Sequence, residues 1–108
     1  MGKFGLGELE QAVMMAIIRH GANAYGVPIR RELGERLGRE ISFGAVYTTL
    51  ERLEAKGFIS SRTGDPTPER GGRAKRFYRV EAPGHRALNE ARSRVASIWG
   101  EMPGRVPA

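Results

Sequence analysis

With 108 residues, 18 Lys and Arg against 12 Asp and Glu, and a formal net charge of +6, the chain has room for one compact core and a charge balance suited to a polyanionic partner. The absence of cysteine excludes disulfides and thiolate metal sites and fits a reducing compartment. The longest apolar run, Ala12 to Ile18, falls short of the roughly 20 residues that span a bilayer; no signal-peptide pattern follows it, and Leu6 stands where a myristoylation signal needs Ser or Thr, so the expectation is a soluble, cytoplasmic protein without a membrane partner.

Leu9, Val13, Ala16 and Ile17 recur at helical spacing and predict a first helix from about Gly7 to His20, with Gly21 and Asn23 as its stop. A second helix follows Tyr25-Gly26 and ends near Gly38. Ile29, Leu33 and Leu37 lie on its apolar face, Arg30, Arg31, Glu35 and Arg36 on the other, and Pro28 sits in the first turn, where its missing N–H costs nothing.

Ser42 is a good N-cap for a third helix reaching about Lys56, with Gly57 as the stop. Val46, Leu50 and Leu53 make its buried stripe, which turns Gly44, Ala45, Thr48 and Arg52 outward, puts Tyr47 and Glu51 on one flank and leaves Thr49 near the other. Small residues, hydroxyls and one guanidinium differ from the Glu/Lys mixture of an ordinary solvated face.

After Gly57 the period changes to that of strands. Phe58 to Arg62 and Lys75 to Val80 are rich in aromatic and β-branched residues, and Gly64, Pro66, Pro68, Gly71 and Gly72 between them predict a hairpin with a long loop. Pro83 opens a fourth helix in which Leu88, Ala91, Val95, Ile98 and Met102 alternate spacings of three and four, the pattern of a helix-pairing seam, until Pro103-Gly104 ends it.

Three helices and a two-stranded hairpin, with a short turn between the second and third helices, are the parts of a winged helix-turn-helix. The expected fold is mainly α with a small β-hairpin: residues 1–81 form a DNA-binding winged helix-turn-helix, 82–103 a dimerisation helix and 104–108 a tail. In such folds the helix after the turn enters the major groove, so Arg52 is the first candidate for base readout. Ser42, Gly44, Tyr47, Thr48 and Thr49 are candidates for close approach, phosphates or bases. Arg70, Arg73, Lys75 and Arg76 surround Gly71 and Gly72, a wing tip suited to a minor groove or phosphate backbone. Trp99 belongs at or beside the dimer seam.

The segments GELEQAVMMAI, NAYGVPIRREL, ISFGAVYTTLERLEAKGFI and RGGRAKRFYRV resemble the PadR family of transcription regulators, over nearly the whole chain from about Leu6 to Trp99. The resemblance implies a winged helix-turn-helix with a C-terminal dimerisation helix, an activity that is usually repression, and release by a small, frequently aromatic molecule, for which Trp99 is the candidate ligand residue. It carries over Tyr25, Ser42, Gly44, Tyr47, Thr48, Thr49, Arg52, Arg70, Gly71, Gly72, Arg73 and Lys75 as DNA-binding residues. Two departures stand out: Ala82-Pro83-Gly84-His85 replaces a Thr-Pro-Glu-Gly start and lacks its capping hydroxyl, and a single C-terminal helix leaves little room for a large effector pocket.

The expected partners are a near-palindromic double-stranded DNA operator, a second copy of the chain and a small aromatic effector. The alternative is a winged-helix module that binds an acidic protein. An enzyme is not expected: His20 and His85 are the only histidines, both near helix ends, and neither a nucleophile with a base nor a metal-ligand spacing is present. No metal and no cofactor is expected.

Overall fold

A computed structural model describes residues 5–64 and 75–101. The chain order is α1 (Glu8–His20), a 3-10 turn (Gly21–Asn23), α2 (Gly26–Leu37), α3 (Phe43–Ala55), β1 (Ile59–Thr63), β2 (Arg76–Val80) and α4 (Ala82–Trp99). Val13, Met14, Ala16 and Ile17 of α1, Ile29 and Leu33 of α2, and Val46, Leu50 and Leu53 of α3 close on one another, so the predicted apolar stripes of these three helices are core faces. The two strands pair antiparallel, Ile59 opposite Val80 through Thr63 opposite Arg76, and seal the core with Ile59, Tyr78 and Val80. The Tyr78 N–H donates to the Ala24 carbonyl at 2.8 Å, stitching β2 to the segment between α1 and α2.

Helix ends follow local chemistry. Gly21 and Gly38 stop α1 and α2 at φ 55° and 68°, a region that other residues avoid. The Ser42 hydroxyl accepts the Ala45 N–H at 3.0 Å, as expected of an N-cap. Arg30 ties down the turn between α2 and α3 by donating Nε–H to the Ile41 carbonyl at 2.6 Å.

Glu10 was not legible as a core residue, yet it is buried. Its Oε1 accepts the Gly7 N–H at 3.0 Å, and its Oε2 accepts from Lys56 Nζ at 2.8 Å, fastening the start of α1 to the end of α3. Burial opposes the carboxylate charge, but the Lys56 and Gly7 hydrogen bonds with the Lys56 charge outweigh it and hold the pKa below its usual value. A depressed folded pKa gives stability that is present above the unfolded value and is lost as pH falls through the folded one. Glu10→Gln is therefore expected to lower the urea midpoint at neutral pH and to approach the parent protein as the pH falls below the usual glutamate range. A gap that stays constant with pH would show that the charge contributes nothing.

The fourth helix departs from expectation at both ends. It starts at Ala82, one residue before Pro83, and its N-cap is Glu81, so the missing hydroxyl at Ala82 is not at the cap position. No side chain caps it. The Glu81 N–H instead donates to the Phe58 carbonyl at 2.9 Å. The Glu81 carboxylate accepts from the Ser60 hydroxyl and from Arg79 Nε, which hold its pKa below the ordinary range. The other end closes at Gly100, φ 54°, rather than at Pro103-Gly104; Met102 and those two residues lie outside the described residues.

Gly84 is buried where α4 crosses the hairpin. A Cβ there would overlap the Phe58 carbonyl oxygen and come 2.9 Å from Val80 Cγ1. One turn on, Leu88 leans on the core, and Ala91 is buried. Beyond them α4 leaves the body. The radius of gyration is 16.3 Å, against about 13 Å for a compact domain of this length.

Candidate nucleic-acid interface

Packing of Val46, Leu50 and Leu53 fixes which way α3 faces. Ser42, Phe43, Gly44, Tyr47, Thr48, Glu51 and Arg52 are exposed, with Gly44, Thr48 and Arg52 in one row. Arg52 enters no ion pair among the described residues, leaving its guanidinium available. Tyr47 crosses to α2, where its hydroxyl lies so close to Gly26 that a Cβ there would overlap it.

Thr49 is a correction. It is only 3 % exposed, and its hydroxyl donates to the Ala45 carbonyl at 2.8 Å, so it faces the core instead of a duplex. Donation to the carbonyl one turn back satisfies the hydroxyl and lets a polar residue be buried in a helix.

Tyr25 stands at the N-cap of α2 and packs edge-on against Phe77, ring centroids 5.6 Å apart. Lys75 Nζ lies 4.5 Å from the Tyr25 ring centroid, a cation–π contact that joins the base of the hairpin to the start of α2, and the Arg62 guanidinium lies 4.8 Å from that of Phe77, a second such contact across the two strands. Lys75 is exposed there, and the Gly64 N–H donates to its carbonyl at 2.7 Å. Arg70, Gly71, Gly72 and Arg73 lie outside the described residues.

The six positions read as one seam on α4 divide. Leu88 packs on the core of the chain, and Ala91 is buried. Val95, Ile98 and Trp99 are 49 %, 81 % and 66 % exposed, and Met102 is not described. Spacing alone could not separate the buried positions from the exposed ones, because the alternation of three and four continues unchanged past Ala91.

One residue of this face carried no signal in the helical spacing. Phe43, at the first position of α3, is stacked on Tyr47 with ring centroids 6.1 Å apart, and the Arg30 guanidinium sits 4.4 Å from its centroid. The available signal was an aromatic residue directly between the Ser42 cap and Gly44, where no core position falls.

No group of three or more His, Cys, Asp or Glu converges as a metal site among the described residues. No described helix is long and apolar enough to cross a membrane.

A capped helix presenting small residues, hydroxyls and an exposed arginine, set behind a short turn and beside a β-hairpin, defines a winged helix-turn-helix DNA-binding regulator. Comparison with known proteins gives the same class. Residues 14–90 match the Transcriptional regulator PadR-like family. Transcriptional regulator Rv3488 of Mycobacterium tuberculosis is 37 % identical over 97 residues, 86 % of this chain and 84 % of the relative. A PadR family transcription regulator from Clostridium difficile R20291 superposes with a TM-score of 0.68 at 22 % identity, over 91 % of this chain and all of that one. A PadR-like transcription factor from Bacteroides fragilis gives 0.67 at 21 % identity, over 83 % and 82 %. The chain belongs to the PadR-like family, which is one of transcriptional regulators and not of enzymes.

Proposed function

We propose that the protein is a cytoplasmic homodimeric repressor that sets α3 of each protomer into successive major grooves of a near-palindromic operator and is released by a small aromatic effector. The observation that carries this reading is the pairing of two exposed surfaces of opposite character. One is the polar row of Gly44, Thr48 and Arg52 on α3; the other is the apolar end of α4, with Val95, Ile98 and Trp99. An apolar helix end of that size favours burial against a partner helix, and a second copy offers the same stripe. Two-fold symmetry then suits half-sites about 34 Å apart, one turn of DNA. Tyr25, Ser42 and Tyr47 serve the backbone in this reading, as do Arg70, Arg73 and Lys75 beside Gly71 and Gly72. Trp99, the single tryptophan, would stack a planar effector at the seam.

One set of measurements tests the reading. A duplex selected from random DNA is expected to take up two protomers, with log affinity falling linearly as log salt rises. Combining Ile98→Ser with Trp99→Ala is expected to give monomers in sedimentation, and planar aromatic cations to quench Trp99 in the unaltered dimer. Salt-insensitive binding confined to acidic proteins would favour a protein-interaction module. A dimer that survives both substitutions would place the interface elsewhere.

A further inference from the structure

Phe43 is a large aromatic side chain with no place in the core. It occupies the first position of α3, is 39 % exposed, and lies outside the hydrophobic cluster that holds the three helices together. It is nevertheless not free to swing. Its ring is nearly parallel to that of Tyr47, at an interplanar angle of 20°, and the Arg30 guanidinium is 4.4 Å from its centroid. Arg30 is itself fixed by its 2.6 Å bond to the Ile41 carbonyl. The ring is thus a preset apolar surface at the leading end of the helix, next to Gly44, which puts no side chain in front of it.

We propose that Phe43 reads the C5-methyl group of a thymine in each half-site. The inference rests on the placement of α3 in the major groove, where the N-terminal residues of such a helix meet base edges. A phenyl ring has no donor or acceptor with which to tell bases apart. The thymine methyl is the apolar group that the major-groove edge offers, and it is absent from the other three bases. Holding the ring in advance by Tyr47 and Arg30 removes the side-chain ordering cost that a free aromatic would meet on binding. Phe43 is therefore a specificity residue, and Arg30 and Tyr47 are positioning residues for it.

The experiment uses the full-length protein and its selected operator, with each thymine replaced in turn by deoxyuridine, which removes the methyl and leaves base pairing intact. The unaltered protein is expected to lose about fourfold in affinity at one thymine per half-site, the effect of one buried methyl. Phe43→Ala should bind the thymine and deoxyuridine duplexes equally at that position, while Arg52→Ala keeps the methyl effect and loses discrimination elsewhere. Indifference of the unaltered protein to every thymine methyl overturns the proposal whether or not Phe43→Ala folds, and so does a methyl effect that survives in Phe43→Ala with native helical circular dichroism. If Arg52→Ala binds the selected operator as well as the parent does, the placement of α3 fails, and the role of Phe43 fails with it. Sensitivity to Arg52 without any methyl effect overturns the role of Phe43 alone.

Discussion

Arg52→Ala is expected to weaken binding to the selected operator by about 1–3 kcal/mol per half-site and to flatten the preference at one base position. The expectation comes from where the side chain stands. Arg52 lies two turns beyond Gly44 on the exposed row of α3, opposite the buried Val46, Leu50 and Leu53, and has no ion-pair partner among the described residues. Its removal therefore uncovers no buried charge and leaves no cavity, and folding stability should stay within about 0.5 kcal/mol, as for most surface substitutions. Any large loss then belongs to the interface. Titrations of the selected duplex and of a random duplex at one salt concentration decide its nature. A loss on the selected duplex alone identifies a base contact; an equal loss on both assigns Arg52 to a phosphate.

The second large effect concerns Gly84. Helix propensity alone argues that Gly84→Ala should stabilise α4 by about 1 kcal/mol. Packing argues the reverse and wins, because the added methyl would overlap a backbone oxygen, that of Phe58, and press on Val80. A backbone carbonyl in a paired hairpin cannot rotate aside as a side-chain end can. Overpacking of this kind costs about 1–3 kcal/mol or more, and in a domain of this size each kcal/mol lowers the melting temperature by roughly 4–8 °C. Gly26 provides the contrast. A methyl there meets the hydroxyl end of the half-exposed Tyr47, which can move, so Gly26→Ala should cost less stability than Gly84→Ala. A thermal melt that rises for Gly84→Ala would mean that α4 is not seated on the hairpin through this glycine.

The order of elements and the buried stripes were legible because they depend on local periodicity. Val46, Leu50 and Leu53 could face only one way once α3 was recognised, and Ser42 announced its own cap. What escaped depended on partners far along the chain or on a choice between two local signals. Glu10 finds its cation 46 residues away at Lys56, and no period in α1 marks a carboxylate for burial. Helix geometry puts Thr49 only near a flank of α3, and its burial depends on the Ala45 carbonyl, which satisfies the hydroxyl within the helix. Pro103-Gly104 outweighed Gly100 as punctuation, although one glycine with positive φ is enough to end α4. Phe43 is invisible to helical spacing, which separates buried from exposed positions and does not register an exposed ring held by its neighbours.

Between Val80, the last residue of β2, and Ala82, the first of α4, stands only Glu81, and its N–H, carboxylate and chain neighbours are all bonded into the hairpin or the helix. Strand and helix therefore meet without slack, and α4 behaves as a lever whose fulcrum is the crossing at Gly84. From Gly84 to Trp99 the arm is roughly 22 Å long at the helical rise, so a tilt of about 10° at the fulcrum carries Trp99 through roughly 4 Å. Displacement in the other direction is geared down. A push of an ångström or two at the Trp99 end reaches the hairpin as a rotation of a few degrees, delivered to the strand that holds Phe77 against Tyr25 at the root of the wing.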